Sequence, residues 1–196
     1  TKERMLLQIQ HPPKLFFCCI CNYYTVLIRT DKSPKIGSRC LTCRSTAHHR
    51  GVVSYLRKKY REKIEKLKNV NVYEISAHGA LFNFFHNQKK KLGFNFYFSE
   101  FLDGWTPGKI YNGIRCENIE NLTFEDNYFD LITSTGVMEH VENDKKGYEE
   151  VFRVLKKGGH YIYIVPLLTT NKFTKQRALR DKNNVIIHLL PEEYHG

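Results

Sequence analysis

Five of the six cysteines fall between positions 18 and 43, and their spacing is that of metal ligands. Cys18-Cys19-Ile20-Cys21 holds one C-x2-C pair and Cys40-Leu41-Thr42-Cys43 another, with eighteen residues between them. Two tight turns that each present two thiolates complete a tetrahedral shell around Zn²⁺, and such a closed shell leaves no position for a substrate. The expected site is therefore a structural zinc held by Cys18, Cys21, Cys40 and Cys43. Cys19 could stand in for Cys18, and His48 or His49 for one of the cysteines. A piece of about 30 residues cannot bury enough apolar surface to fold alone, so the metal would supply much of its stability. Cys116 stands apart and reads as a small core residue.

A second set of candidates runs through the later sequence. Glu74-Ile75-Ser76-Ala77-His78-Gly79 combines small residues with a helix start, where main-chain N–H groups can meet a carboxylate. Ser99-Glu100 offers a carboxylate that can accept hydrogen bonds from both hydroxyls of a ribose. Asn118 carries a donor and an acceptor, which suits the edge of an adenine. Ser134-Thr135-Gly136 and then Glu139-His140 complete the series. These residues act together only if each lies at the carboxyl end of a strand in one sheet.

The pattern supplies such strands. Val70–Ser76, Phe94–Ser99, Ile114–Glu117, Tyr128–Ser134 and His160–Val165 read as strands, the last of them rich in β-branched and aromatic residues. Between them lie helical patterns over Ala80–Gln88 and Asp144–Lys156. The second is expected to start on Asp144, to bury Tyr148, Val151, Phe152 and Leu155, and to stop at Gly158-Gly159. A further helix from Ala47 to Leu67 repeats Val52, Val53, Leu56, Tyr60, Ile64 and Leu67 at three- and four-residue steps. A hairpin is expected from Phe173 to Leu190, turning near Asn183-Asn184. Alternating strands and helices imply an α/β fold with a mostly parallel, doubly wound sheet covered on both faces. The division expected is an undefined segment over 1–17, a zinc-ribbon-like module over 18–45 and the α/β domain over 46–196.

Charge is uneven. Residues 1–70 hold 16 Lys+Arg against 4 Asp+Glu, whereas 71–196 hold 15 against 16. The basic first third could face an anionic partner such as nucleic acid, or be the solvated face of a lysine-rich helix. No run approaches the roughly 18 apolar residues of a membrane span, so no membrane partner is expected. Met5-Leu6-Leu7 is too short for a secretory leader, and a cytoplasmic location is expected.

Three stretches carry a resemblance. Phe129-Asp130-Leu131-Ile132, Met138-Glu139-His140-Val141 and Arg153-Val154-Leu155-Lys156-Lys157-Gly158-Gly159 together resemble class I S-adenosylmethionine (SAM) dependent methyltransferases, with Lys157 where proline is usual. Ser38 to Cys43 with His49-Arg50 resembles the second knuckle of those members that carry an N-terminal C-x2-C pair. Arg177-Ala178 and His188 to Gly196 extend the likeness. It implies a Rossmann-like methyltransferase sheet whose last two strands are truncated here. It also implies SAM as cofactor, with Glu74, Ser76 and Gly79 at its methionine end, Glu100 at the ribose, and Asn118 and Ile119 at the adenine. Ser134 and Thr135 would line the cleft. Ser76, His78 and Ala80 stand where the superfamily usually has glycine.

Methyl transfer needs alignment above all, and a base only if the acceptor must lose a proton. His140 and Glu139 are the candidates for that role; alternatively they pack or cap the neighbouring helix. The acceptor could be a small molecule or a nucleic acid, the latter making the basic ribbon and helix a substrate-delivery surface. A non-catalytic interaction module on the same fold is the other reading. A dehydrogenase is disfavoured, since G-x-G-x-x-G is absent after the first strand of the sheet.

Overall fold

The computed structural model describes residues 6, 8–30, 37–59, 69–166, 173, 175–181 and 185–191. Three short strands come first: β1 (Lys14–Cys18), β2 (Tyr23–Arg29) and β3 (Ser38–Cys40) form an antiparallel sheet in that order. Helix α1 follows (Ala47–Lys59) and buries Val52, Val53 and Leu56, the first half of the expected stripe. Tyr60, Ile64 and Leu67 lie outside the described residues.

The main sheet comprises β4 (Asn71–Glu74), β5 (Asn95–Glu100), β6 (Ile110–Tyr111), β7 (Ile114–Cys116), β8 (Phe129–Thr135) and β9 (Leu155–Ile164). Their order is β6-β7-β5-β4-β8-β9. Every pairing is parallel except β6 with β7, a hairpin the sequence reading did not include. Helix α2 (Gly79–Leu92) links β4 to β5, and α3 (Asp144–Val154) links β8 to β9. This is a mixed α/β fold with a mostly parallel central sheet, the Rossmann-like class expected.

Two clusters fill the two faces. Val72 and Leu131 face Ala80, Leu81, Phe84 and Phe85 of α2; Tyr73 and Ile132, one residue on in each strand, face Val151 and Val154 of α3. The period-2 alternation of the strands produces this split. The α2 cluster continues without a break into Val53 of α1 and into Cys18, Ile20 and Cys40 of the small sheet. The cysteine module thus shares one core with the α/β domain.

The end of α3 departs from expectation. The helix starts on Asn143, whose side chain accepts from Lys146 N at 3.0 Å, and it stops at Val154. Leu155 already pairs with Phe129 in β9, and Phe152 is 81% exposed. The buried positions are Gly147, Val151 and Val154. Gly158-Gly159 lies inside β9 and ends no helix. The register jumps there, from Phe129↔Leu155 to Leu131↔His160. Gly158 turns the excursion with φ +80°, and a Cβ on Gly159 would sit 3.1 Å from Phe129 O. The glycines serve a bulge that brings two strand backbones close.

β10 (Ala178–Arg180) and β11 (Ile186–His188) form the expected antiparallel hairpin; its turn at 183–184 lies outside the described residues. No helix among the described residues is long and apolar enough to cross a membrane.

Candidate functional site

The four cysteines converge. Cys18, Cys21, Cys40 and Cys43 place all their Sγ atoms within 4.8 Å of one another. A zinc–sulfur bond of about 2.3 Å gives a regular tetrahedron with edges of about 3.8 Å. Cys18 and Cys43 Sγ are 3.8 Å apart, and Cys21 and Cys40 Sγ 3.7 Å. Two opposite edges match this tetrahedron and no edge exceeds 4.8 Å, so the group fits a tetrahedral metal. Ser45 Oγ lies 3.1 Å from Cys43 Sγ, and Cys43 N donates to Cys40 Sγ at 3.5 Å, the outer contacts that steady thiolate ligands. Burial acts to raise the Cys40 thiol, yet hydrogen bonds from the Cys43 and Thr42 backbone and from neighbouring thiols outweigh it and bring it down to about 7.

The alternatives left open by spacing fall elsewhere. Cys19 points to the Arg50 carbonyl, with Sγ–O 3.4 Å. His49 Nδ1 accepts from Thr46 N at 3.1 Å at the start of α1, and burial pushes its pKa down to about 4. His48 is exposed.

At the carboxyl ends of β4 and β5 a second group assembles. Glu100 Oε1 accepts from Ala77 N at 2.7 Å and from Ser76 Oγ at 3.2 Å, and lies 2.9 Å from His78 Nδ1. Parallel pairing of β4 with β5 and a tight turn into α2 bring these residues together. His78 is the residue before α2 and is 81% exposed, and its side chain does not cap the helix. Gly79 opens the helix with φ +89° and with nothing within 4 Å of a would-be Cβ. Among the described residues, no side chain accepts from the first-turn N–H groups of α2.

Glu74, one turn below, is 2% exposed and accepts a hydrogen bond from the Thr133 hydroxyl. The β4–β8 register places Glu74 opposite Thr133. Burial raises the Glu74 carboxyl to about 8; the Thr133 hydrogen bond opposes this, and the Glu100 charge adds to it. Thr133 was missed in the sequence, although it stands two residues before Thr135 on the same face of β8. Thr135 Oγ1 is buried with no hydrogen-bond partner among the described residues. Ser134 points to the opposite face and meets Tyr161 OH at 2.7 Å.

Asn118 follows β7. Its Oδ1 accepts from Glu120 N at 2.9 Å, and Ile119 is buried in the α3-side core. Glu117, also missed, is buried and holds Arg115 Nε at 2.5 Å and Thr123 N at 2.9 Å, which fixes the segment carrying Asn118. Met138, Glu139 and His140 form a single 3-10 turn, with Met138 buried and His140 exposed. Glu139 Oε1 lies 3.4 Å from where a Cβ on Gly136 would be. Trp105 stacks on Tyr111 at 4.3 Å, packing against the β6–β7 hairpin.

Residues 103–163 match the methyltransferase domain family. That stretch runs from the loop after β5 into β9. A demethylmenaquinone methyltransferase of Bacteroides fragilis is 35% identical over 74 residues, covering 38% of this chain and 30% of that protein. A ubiquinone/menaquinone biosynthesis C-methyltransferase of Hydrogenovibrio crunogenus is 45% identical over 75 residues, 38% of this chain and 28% of its own. Among solved structures, an S-adenosylmethionine dependent methyltransferase of Mesorhizobium loti superposes with a TM-score of 0.37 at 16% identity, covering 53% of this chain and 52% of its own. The chain spans less than half the length of the curated relatives it matches.

The resemblance series is mostly structural in role. Asp130 accepts from Asn71 N at 2.8 Å and pairs with Lys156 at 2.7 Å. Arg153 joins Glu150, Asp126 and the carbonyls of Phe124 and Leu122. These contacts clamp the turns that carry the site.

Proposed function

We propose that this chain is a SAM-dependent methyltransferase whose N-terminal module is held by a structural zinc ion. The observation that carries the reading is the Glu100 carboxylate at the end of β5, tied to Ser76 and Ala77 at the end of β4, beside the uncapped start of α2. The family match over 103–163 supports the same reading. The fit rests on three features. Glu100 is a ribose-type acceptor. The open α2 N-terminus suits the carboxylate of an amino-acid moiety. The Thr135 hydroxyl, buried and unpartnered by the described residues, is free to meet a ligand.

SAM, when bound, supplies a methyl group already activated by its sulfonium. The chain's own residues then bind and orient. Glu74, Ser76 and Gly79 hold the methionine end, Glu100 the ribose, and Asn118 and Ile119 the adenine. Thr135 lines the cleft, with Ser134 bracing β8 from behind. His140, exposed just after β8, is the candidate base for an acceptor that must lose a proton, with Glu139 beside it. The four thiolates hold zinc in a closed shell, so the metal stabilises and does not react.

Calorimetric titration of SAM into the zinc-loaded protein tests this. Saturable binding that collapses in Glu100→Ala supports the reading. Absence of binding, in this chain and in one extended at its C-terminus, refutes it. A second reading, a non-catalytic interaction module, is favoured by one observation: His78 occupies Glu100 where the superfamily usually has glycine.

A further inference from the structure

The three-stranded sheet of the cysteine module has one face in the core and one in the open. Phe16, Cys18, Leu27 and Cys40 alternate with the residues of the other face. On that outer face Leu15 pairs with Val26, and Phe17 with Tyr24. Leu15 is 73% exposed, Phe17 49% and Tyr24 70%. Four apolar or aromatic side chains on one open sheet face are not needed by the zinc site or by the cofactor cleft.

The charge around this face narrows the occupant. Residues 14–59 contain ten Lys+Arg and one acidic residue, Asp31. Arg39 pairs with Ile28 on the outer face, Arg44 is exposed in the second knuckle, and Lys14 is exposed at the start of β1, where its register with Leu27 places it on the opposite face. None of these three is in an ion pair among the described residues. An apolar face meant for a second copy of so basic a chain would bring like charges together. Exposed aromatic rings among cations instead form a stacking platform for bases, with the cations on the phosphates. Ring geometry separates single from double strands. Phe17 and Tyr24 meet edge-to-face, with centroids 5.6 Å apart and planes at 72°. Two rings so tilted suit bases splayed from a flexible strand and do not match the coplanar bases of a duplex.

The structure assigns the outer face of β1–β2, centred on Phe17 and Tyr24, as a binding surface for single-stranded nucleic acid. The assignment does not rest on methyl transfer, and a chain that binds no SAM would still carry it. It is tested by fluorescence anisotropy with labelled oligouridylate and oligothymidylate on the zinc-loaded chain at low salt. Phe17→Ala and Tyr24→Ala should each weaken binding about 5- to 100-fold, the range for a lost base–aromatic stack. Tyr24→Phe keeps the ring and should bind as the wild type. Arg39→Ala and Arg44→Ala should each lower the log–log salt slope by about 0.7. Lys89→Ala, at the far end of α2, should change nothing. Phe17, Tyr24 and Arg44 are exposed, Arg39 and Lys89 are half-buried, and zinc content checks that each variant is folded. The assignment is overturned if the wild type does not bind, if the Phe17→Ala/Tyr24→Ala double variant binds equally well, or if duplex competes as strongly as single strand. It is also overturned if sedimentation shows self-association that the double variant abolishes, which would give the face to a second copy.

Discussion

Glu74 makes the stability of this fold fall as pH rises. The carboxyl is 2% exposed, and burial raises its pKa from 4.5 to about 8. In the unfolded chain it loses its proton near the lower value. Between the two pH values the folded state therefore holds a proton that the unfolded state has released. Since the unfolded state binds fewer protons, stability decreases with pH over that window and levels off above about 8. The slope approaches about 1.4 kcal/mol per pH unit, and the whole effect is on the order of 5 kcal/mol. Glu74→Gln removes the titration while leaving an oxygen to accept from the Thr133 hydroxyl. Urea unfolding of both proteins at pH 5, 6, 7 and 8 measures it. Zinc release at acid pH affects both alike, so the informative quantity is the difference at each pH. The variant should match the wild type at pH 5 and exceed it by several kcal/mol at pH 8. A difference that stays flat across the series would refute the reasoning, because Glu74 would then hold the same charge in both states.

Other outcomes follow from single contacts. Stripping the metal with a chelator, or Cys40→Ser, should lower the melting temperature of the whole chain in one transition, because Cys40 lies in the same cluster as α2; calorimetry showing two separate transitions would contradict this. Arg153→Ala should destabilise by about 2–4 kcal/mol in urea unfolding, since it strips the partly buried Phe124 and Leu122 carbonyls and two carboxylates of their donor. His78→Gly should tighten SAM binding about 5- to 10-fold in calorimetric titration, by releasing one hydrogen bond that competes for Glu100. His140→Gln should lower kcat about 100-fold or more if His140 is the base; an unchanged kcat would leave transfer to proximity alone.

The parts of this fold legible in the sequence are those written in local periodicity. The five strands with β-branched or aromatic runs and the α2 and α3 patterns all appear, within a few residues. So do the two thiol pairs, because C-x2-C spacing is set by a tight turn and needs no tertiary information. What was misread or left open depends on partners distant in sequence. Gly158-Gly159 looks like a helix stop until Phe129 is seen opposite it. Cys18 and Cys19 are equivalent on paper; the strand alternation of β1 sends Cys18 inward and Cys19 toward Arg50. Ser134 and Thr135 are neighbours in sequence but face opposite sides of β8, so only one of them can share a face with Glu74. Thr133 and Glu117 were missed because a buried polar pair leaves no pattern when each partner is read alone.

The cysteine module is better understood as part of the wall behind α2 than as an appendage. Ala80 and Leu81 lie in the first turn of α2, directly after the candidate ligands Ser76 to Gly79. Their buried faces belong to the cluster that contains Val53 of α1 and Cys18 and Cys40 of the metal knot. A closely packed interior transmits displacement, since its side chains have few alternative rotamers to absorb it. Loss of the tetrahedral thiolate arrangement would loosen the small sheet, then α1, then the face on which α2 rests. The aim of the α2 N-terminus, and the position of Ala77 N on Glu100, depend on that face. Buried Glu74 adds a standing cost to the same region, which a fold selected for stability alone would have avoided with an apolar side chain. A metal held by the four thiols behind the helix would offset that cost where it arises, which would account for the proposed zinc module sharing a core with the proposed cofactor cleft instead of hanging from a linker.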